Sequence, residues 1–231
     1  MMNRIAILFG ILLACTAQSG ILWTDDFSSD PETNGWTYTS TSSSDRFSWI
    51  SGDEWLYSSH GGDFAGGNVA TTYRALGHTL TQNDSFNLSI EQRISYAYWF
   101  DAYTEIGFAN STGTDQLAIG FDGVWQSGNP GTESFPMDFY YYAKYTDSAG
   151  VSTNSGATDP GHVFTRGAFR TMTVDYNADT SIMSVDVAGL GAATLDLTGQ
   201  SFRVDQVRIR LTEGDFSDQE SQYDDLVVVP E

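Results

Sequence analysis

Two stretches of the chain crowd aromatic side chains at a spacing suited to holding a sugar. They are Tyr96-Ala97-Tyr98-Trp99-Phe100-Asp101-Ala102-Tyr103 and Phe139-Tyr140-Tyr141-Tyr142. Successive side chains of an extended strand face opposite ways. Tyr140, Tyr142 and Lys144 therefore share one face, and Phe139, Tyr141 and Ala143 the other. Trp99, Asp101 and Tyr103 share a face opposite Tyr98 and Phe100. Sugar rings present apolar C–H faces that stack on aromatic rings, while flanking Asp, Asn and Gln side chains take the hydroxyls. Trp99, Asp101, Trp125, Tyr140 and Tyr142 are thus the candidate ligand-binding residues, with a polysaccharide or other glycan as the partner. A competing reading has these rings filling a large core and its rim.

Catalysis has weaker support. Glycoside hydrolysis requires two carboxyls about 5–9.5 Å apart. Asp101 and Glu105 share a face, but four residues of strand separate them by about 13 Å. Glu91 and Glu105 remain as a pair that could meet across strands. Polysaccharide β-elimination would draw on Tyr and His, and His60, His78 and His162 are available. No G-x-S-x-G, P-loop, CxxC or HExxH motif occurs. The sequence favours binding over catalysis and assigns no catalytic residue. A polysaccharide lyase or glycoside hydrolase is kept as an alternative, as is a structural or adhesive surface protein without a small ligand.

Charge narrows the partners. Thirty acids, 22 of them Asp, face ten bases, for a net charge of −20. Lys144 is the sole lysine. Such a surface repels phosphate backbones and anionic lipid, which excludes nucleic acid as a partner. It suits neutral or cationic ligands, Ca²⁺ or a salty medium. Asp is also a good turn residue and a hard oxygen ligand.

The N-terminus reads as an export signal. A basic start, Met1–Arg4, precedes the apolar run Ile5–Ala14, which has the length of a signal-peptide core and is too short to span a bilayer comfortably. Residues 1–19 are assigned to this leader and 20–231 to one domain, so the expected location is secreted, periplasmic or cell-surface. Leu12-Leu13-Ala14-Cys15 is also similar to a bacterial lipobox, in which Cys15 would carry a lipid anchor. Both readings stay open. No later stretch is apolar enough for a transmembrane helix. Cys15 is the only cysteine, so the mature body has no disulfide.

The elements that must position these residues are strands. Phe86, Leu88 and Ile90 alternate with polar neighbours, as do Leu117, Ile119 and Phe121. The same holds for Met172, Val174 and Tyr176, for Met183, Val185 and Val187, and for Val207, Ile209 and Leu211. Each predicts a strand with one buried face and one wet face, hence antiparallel sheet. Further strands are expected near 21–27, 47–50, 55–58, 69–74, 104–109, 139–145 and 223–229. About a dozen strands at this spacing predict an all-β, two-sheet antiparallel jelly-roll sandwich. Gly123–Pro136 and Ser148–Arg166 are expected as long loops.

Three segments carry a resemblance. The mature chain opens with Trp23-Thr24-Asp25-Asp26-Phe27-Ser28 and Gly35-Trp36. It carries the hairpin Phe169-Arg170-Thr171-Met172-Thr173-Val174-Asp175-Tyr176-Asn177-Ala178-Asp179-Thr180, returning through Ser184-Val185-Asp186-Val187. It closes with Gln222-Tyr223-Asp224-Asp225-Leu226-Val227-Val228-Val229. This resembles the concanavalin-A-like lectin and glucanase superfamily, especially LamG-like exported bacterial proteins. The E-x-D-x-x-E strand of the glucanase branch and the strand motifs of alginate lyases are absent. The resemblance implies first and last strands side by side, which would bring Asp25 and Asp26 near Asp224 and Asp225. Like charges destabilise a strand pair, and a structural Ca²⁺ on those four carboxylates would relieve the cost. Val229-Pro230-Glu231 is similar to the start of a PEP-CTERM sorting tail, without the hydrophobic helix and basic end that follow in such tails.

Overall fold

The computed structural model describes residues 22–41, 46–52, 55–59, 69–98, 103–112, 114–124, 137–156, 163–164, 168–212 and 218–230. In chain order the strands are β1 Trp23–Asp25, β2 Trp36–Ser40, β3 Arg46–Ile50, β4 Trp55–Ser59, β5 Val69–Thr81 and β6 Phe86–Tyr98. There follow β7 Tyr103–Ala109, β8 Gln116–Val124, β9 Met137–Thr146, β10 Ser152–Asn154 and β11 Val163–Phe164. The last five are β12 Arg170–Asn177, β13 Ile182–Val187, β14 Gly191–Asp196, β15 Arg203–Thr212 and β16 Asp218–Pro230. One 3₁₀ turn, Pro31–Asn34, is capped by the Asp30 side chain.

The strands form two antiparallel sheets. The first runs β14-β13-β12-β6-β16-β4-β3, with β1 added beside β16. The second runs β10-β9-β8-β7-β15-β5-β2, with β11 beside β9. The expected two-sheet antiparallel jelly-roll sandwich is therefore the observed architecture. As expected, the first and last strands are neighbours: Trp23 pairs with Val228 and Asp25 with Leu226.

Period-two alternation builds the core. Phe86, Leu88 and Ile90 of β6 and Met172, Val174 and Tyr176 of β12 point inward from the first sheet. Leu117, Ile119 and Phe121 of β8 and Val207, Ile209 and Leu211 of β15 face them from the second. Aromatic rings bridge the layers, with Phe86 4.7 Å from Phe108 and Phe202 5.0 Å from Tyr176 between ring centres. Buried tyrosines need partners for their hydroxyls. Tyr141 of β9 donates across the sandwich to the Gly191 carbonyl at 2.5 Å. Tyr223 meets Ser58 at 3.2 Å, and its burial pushes its pKa up to about 12.

Some elements depart from expectation. β2, β10, β11 and β14 were not expected as strands. The stretch Ser148–Arg166 thus carries two short strands rather than one continuous loop. β5 and β16 are longer than their sequence pattern, because bulges interrupt them. The β15–β5 register shifts between Val204 and Gln206, near the left-handed Gly77. The β16–β6 register shifts between Asp224 and Val227, where Asp225 is left-handed with φ 44°.

Candidate functional site

The pairing of four strands sets the residues of the second sheet's outer face. One row across it reads Arg210 (β15), Glu105 (β7), Gly120 (β8) and Tyr142 (β9). The next row reads Arg208, Gly107, Ala118 and Lys144. Their neighbours Ile209, Ile106, Ile119, Tyr141 and Ala143 are buried between the sheets, which turns these rows outward. Asp122 follows Gly120 two residues on in β8, and its side chain lies outside the described residues.

Glu105 is the centre of this face. Although outward, it is only 6% exposed. Lys144 Nζ reaches its Oε1, and Gln116 Nε2 donates to Oε2 at 3.0 Å. Arg210 stands 3.6 Å from Oε2, an ion pair longer than a hydrogen bond. Burial alone would push the Glu105 carboxyl up. The charge and hydrogen bond of Lys144, the Gln116 amide and the Arg210 charge outweigh that, and its pKa lies below the ordinary value. Arg208 has its pKa lowered by burial, with Glu105 opposing the shift. Its Nε is buried without a hydrogen-bond partner among the described residues.

Tyr142 is placed by a glycine. A Cβ at Gly120 would sit 2.5 Å from Tyr142 Cε2 and 2.6 Å from Cζ. The ring thus lies across the bare backbone of Gly120, the way aromatic residues cover glycine on sheets. Tyr142 is half-buried, so it belongs to neither the core nor a free surface.

Of the candidate sugar-binding residues, Tyr142 shares the outer face with Lys144, as alternation predicts. Tyr140 lies two residues earlier on β9, with its side chain outside the described residues. Trp99, Asp101 and Trp125 lie outside the described residues, as does Cys15. Glu91 and Glu105 do not meet across neighbouring strands. Glu91 pairs with Asp224 and Thr171 in the first sheet, whereas Glu105 lies in the second. The crossing from β6 to β7 takes the chain from one sheet to the other, and local spacing cannot reveal that. Sequence reasoning also missed the convergence of Glu105, Lys144, Arg208 and Arg210. The available signal was the sole lysine at an outward strand position.

The carboxylates of the chain ends part company. Asp25 is 4% exposed and turned inward. Its Oδ1 accepts from Phe27 N at 3.0 Å, and its Oδ2 from Trp36 Nε1 at 2.8 Å and Arg74 Nη1 at 3.2 Å. That set of donors already neutralises it. Asp26 is exposed and accepts from Ser28 N and Oγ. Asp224 has its pKa raised by burial first, then by the charges of Asp225, Glu91 and Asp26. Asp26 and Asp224 therefore sense each other, while Asp25 is committed elsewhere. Among the described residues no three His, Cys, Asp or Glu side chains converge as a metal cluster. No helix among them is long and apolar enough to cross a membrane.

No protein-family model matches the sequence, and no curated protein does. Solved structures do match. The CBM2 module of the evolved Dit of Lactobacillus casei BL23 phage J-1 superposes with TM-score 0.62 at 10% identity, over 91% of this chain and 95% of that one. The Bacillus licheniformis β-glucanase gives 0.57 at 11% identity, over 89% and 96%. Peanut lectin gives 0.52 at 12% identity, over 90% and 96%. At such identities the likeness speaks for the fold: this chain is a concanavalin-A-like jelly-roll sandwich, the architecture that carbohydrate-binding modules, lectins and glucanases share.

Proposed function

We propose that this chain is an exported glycan-binding module that does not cleave its ligand, and that it binds on the outer face of its second sheet. The observation that carries the reading is Tyr142, laid across Gly120 beside the occupied carboxylate of Glu105. A half-buried aromatic ring held against a sheet is a platform for the apolar face of a sugar. Gln116, Lys144 and Arg210 stand around Glu105 on the same face as donors for hydroxyls or acid groups. The jelly-roll relatives that carry carbohydrate-binding and glucanase descriptions support a glycan as ligand. The basic start and apolar run of residues 1–14 support export.

The state of Glu105 argues against hydrolysis. A general acid needs a raised pKa, and a carboxylate nucleophile needs an oxygen free to attack. Glu105 has a lowered pKa, and both its oxygens are engaged. The next outward positions of β7 are Gly107 and Ala109, which carry no carboxyl.

Affinity electrophoresis against a polysaccharide panel, with reducing-end release measured in parallel, tests the proposal. Retardation by at least one glycan without release is the expected result. Release of reducing ends that Glu105→Gln abolishes would replace this reading with a hydrolase.

A further inference from the structure

We propose that the outer face of the second sheet recognises an acidic glycan, one bearing carboxylate or sulfate groups, through Arg208 and Arg210. This rests on the glycan-binding reading and names the class of ligand. The chain carries thirty acids and only ten bases. Three of those ten, Lys144, Arg208 and Arg210, stand in two adjacent rows of this one face. The described carboxylate among them is Glu105 alone, buried beneath the cations.

The fold does not require all three. Lys144 and Gln116 occupy the two oxygens of Glu105. Arg210 stands off at 3.6 Å. The Nε of Arg208 is buried with no hydrogen-bond partner among the described residues. A guanidinium N–H withdrawn from water without an acceptor is costly. Arg210 beside it adds repulsion, which together with burial lowers the tendency of Arg208 to hold its charge. An incoming anion relieves both costs at once.

The geometry suits such an anion. Arg208 and Arg210 are two residues apart on β15, about 7 Å along the strand, and face the same way. A guanidinium matches a carboxylate or sulfate with two parallel N–H···O bonds. On the β7 side Arg208 is flanked by Gly107 and then Ala118, which leave that side open, while Tyr73 of β5 pairs with it on the other. Tyr142 then lies one row over, beside Glu105 and Gly120, placed to stack on a sugar ring whose acid group reaches the arginines. The remote negative charge of the chain opposes approach, but it is screened beyond about 8 Å at physiological ionic strength. Contacts within the partly buried rows are screened much less.

The test changes the ligand before it changes the protein. Titration calorimetry of the chain compares a polyuronate with its carboxyl-reduced form, and a sulfated galactan with its desulfated form. At least one acidic form is expected to bind about tenfold or more tighter than its neutral counterpart. The pair that responds identifies carboxylate or sulfate as the group read. Arg208→Gln and Arg210→Gln should then bring the acidic form down to the affinity of the neutral one. Equal affinity for acidic and neutral forms overturns the inference and leaves the glycan-binding reading standing. Binding to none of the glycans overturns both.

Discussion

The indole Nε1 of Trp36 donates to Oδ2 of Asp25 at 2.8 Å, and this bond ties one sheet to the other. Asp25 ends β1 in the first sheet, while Trp36 and Arg74 belong to the second. The same carboxylate accepts from Phe27 N and so holds the left-handed turn at Phe27, φ 49°. Asp25→Ala would strand a partly buried guanidinium, an indole N–H and a strained turn together. Breaking a buried pair from one side costs about 3 kcal/mol or more. Urea denaturation should register that loss. Trp36→Phe removes one hydrogen bond and keeps the ring, so it should cost about 1–3 kcal/mol. Equal stability of Asp25→Ala and wild type would refute the role of this contact.

Lys144 and Glu105 should behave as one unit. Lys144→Met leaves a carboxylate that is 6% exposed with the more distant Arg210 and Arg208 as counter-charges. We expect a loss of about 3 kcal/mol. Adding Glu105→Gln to that variant removes the stranded charge and should restore much of the stability. A double-mutant cycle measures the coupling. Strictly additive effects would mean the ion pair carries no weight.

How much of this was legible in the sequence depends on burial. β6, β8, β12, β13 and β15 each bury one face completely, so alternation exposes them. β14 buries Ala193 as its one core residue, and Gly191-Ala192-Ala193 shows no alternation to read. β2 shows in the sequence only as Gly35-Trp36, because Trp36 is its one buried side chain. On the site, the shared face of Tyr142 and Lys144 follows from period two within β9. That Glu105 meets Lys144 and Arg210 depends on the register between strands far apart in sequence, which no local pattern encodes. The left-handed Asp225 and the bulge beside it likewise hide the true length of β16.

Acid should weaken the fold in part through Glu105. Its folded pKa lies below its ordinary value of 4.5. Its contribution is therefore fully present above pH 4.5 and is lost as pH falls through the folded value. Glu105→Gln lacks this component. The stability difference between wild type and Glu105→Gln should thus shrink on acidification below pH 4.5, followed by urea unfolding at stepped pH. A difference that grows on acidification would reverse the assignment.

Asp224 has the opposite sign. Burial and the charges of Asp225, Glu91 and Asp26 raise its folded pKa above 3.8. Its stabilising contribution is present below pH 3.8 and is lost as pH rises through the folded value. At neutral pH the ionised carboxylate is a burden on the β16 bulge. Asp224→Asn keeps an oxygen to accept from Asp225 N, a bond of 2.8 Å in the parent. Its melting temperature should exceed that of wild type at pH 7, and the gain should vanish near pH 3.5. A lower melting temperature at pH 7 would show that the hydrogen bond outweighs the repulsion.

Gly120 and Tyr142 offer the sharpest separation of ligand binding from stability. Alanine suits a strand better than glycine by about 0.5–1 kcal/mol in backbone entropy. At Gly120 its Cβ would meet the Tyr142 ring at 2.5 Å, so the ring must lift off the sheet. The atoms it meets are the far end of a side chain, which can move without unfolding the strand. Gly120→Ala should therefore melt close to wild type yet lose about tenfold in glycan affinity. Tyr142→Ala should lose at least as much, because the platform itself is gone. Tyr142→Phe keeps the ring face and should bind nearly as wild type. Titration calorimetry alongside thermal melts distinguishes the cases. If Gly120→Ala binds normally while its stability falls, the ring serves to cover the backbone of β8, and the sugar must be held elsewhere on the chain.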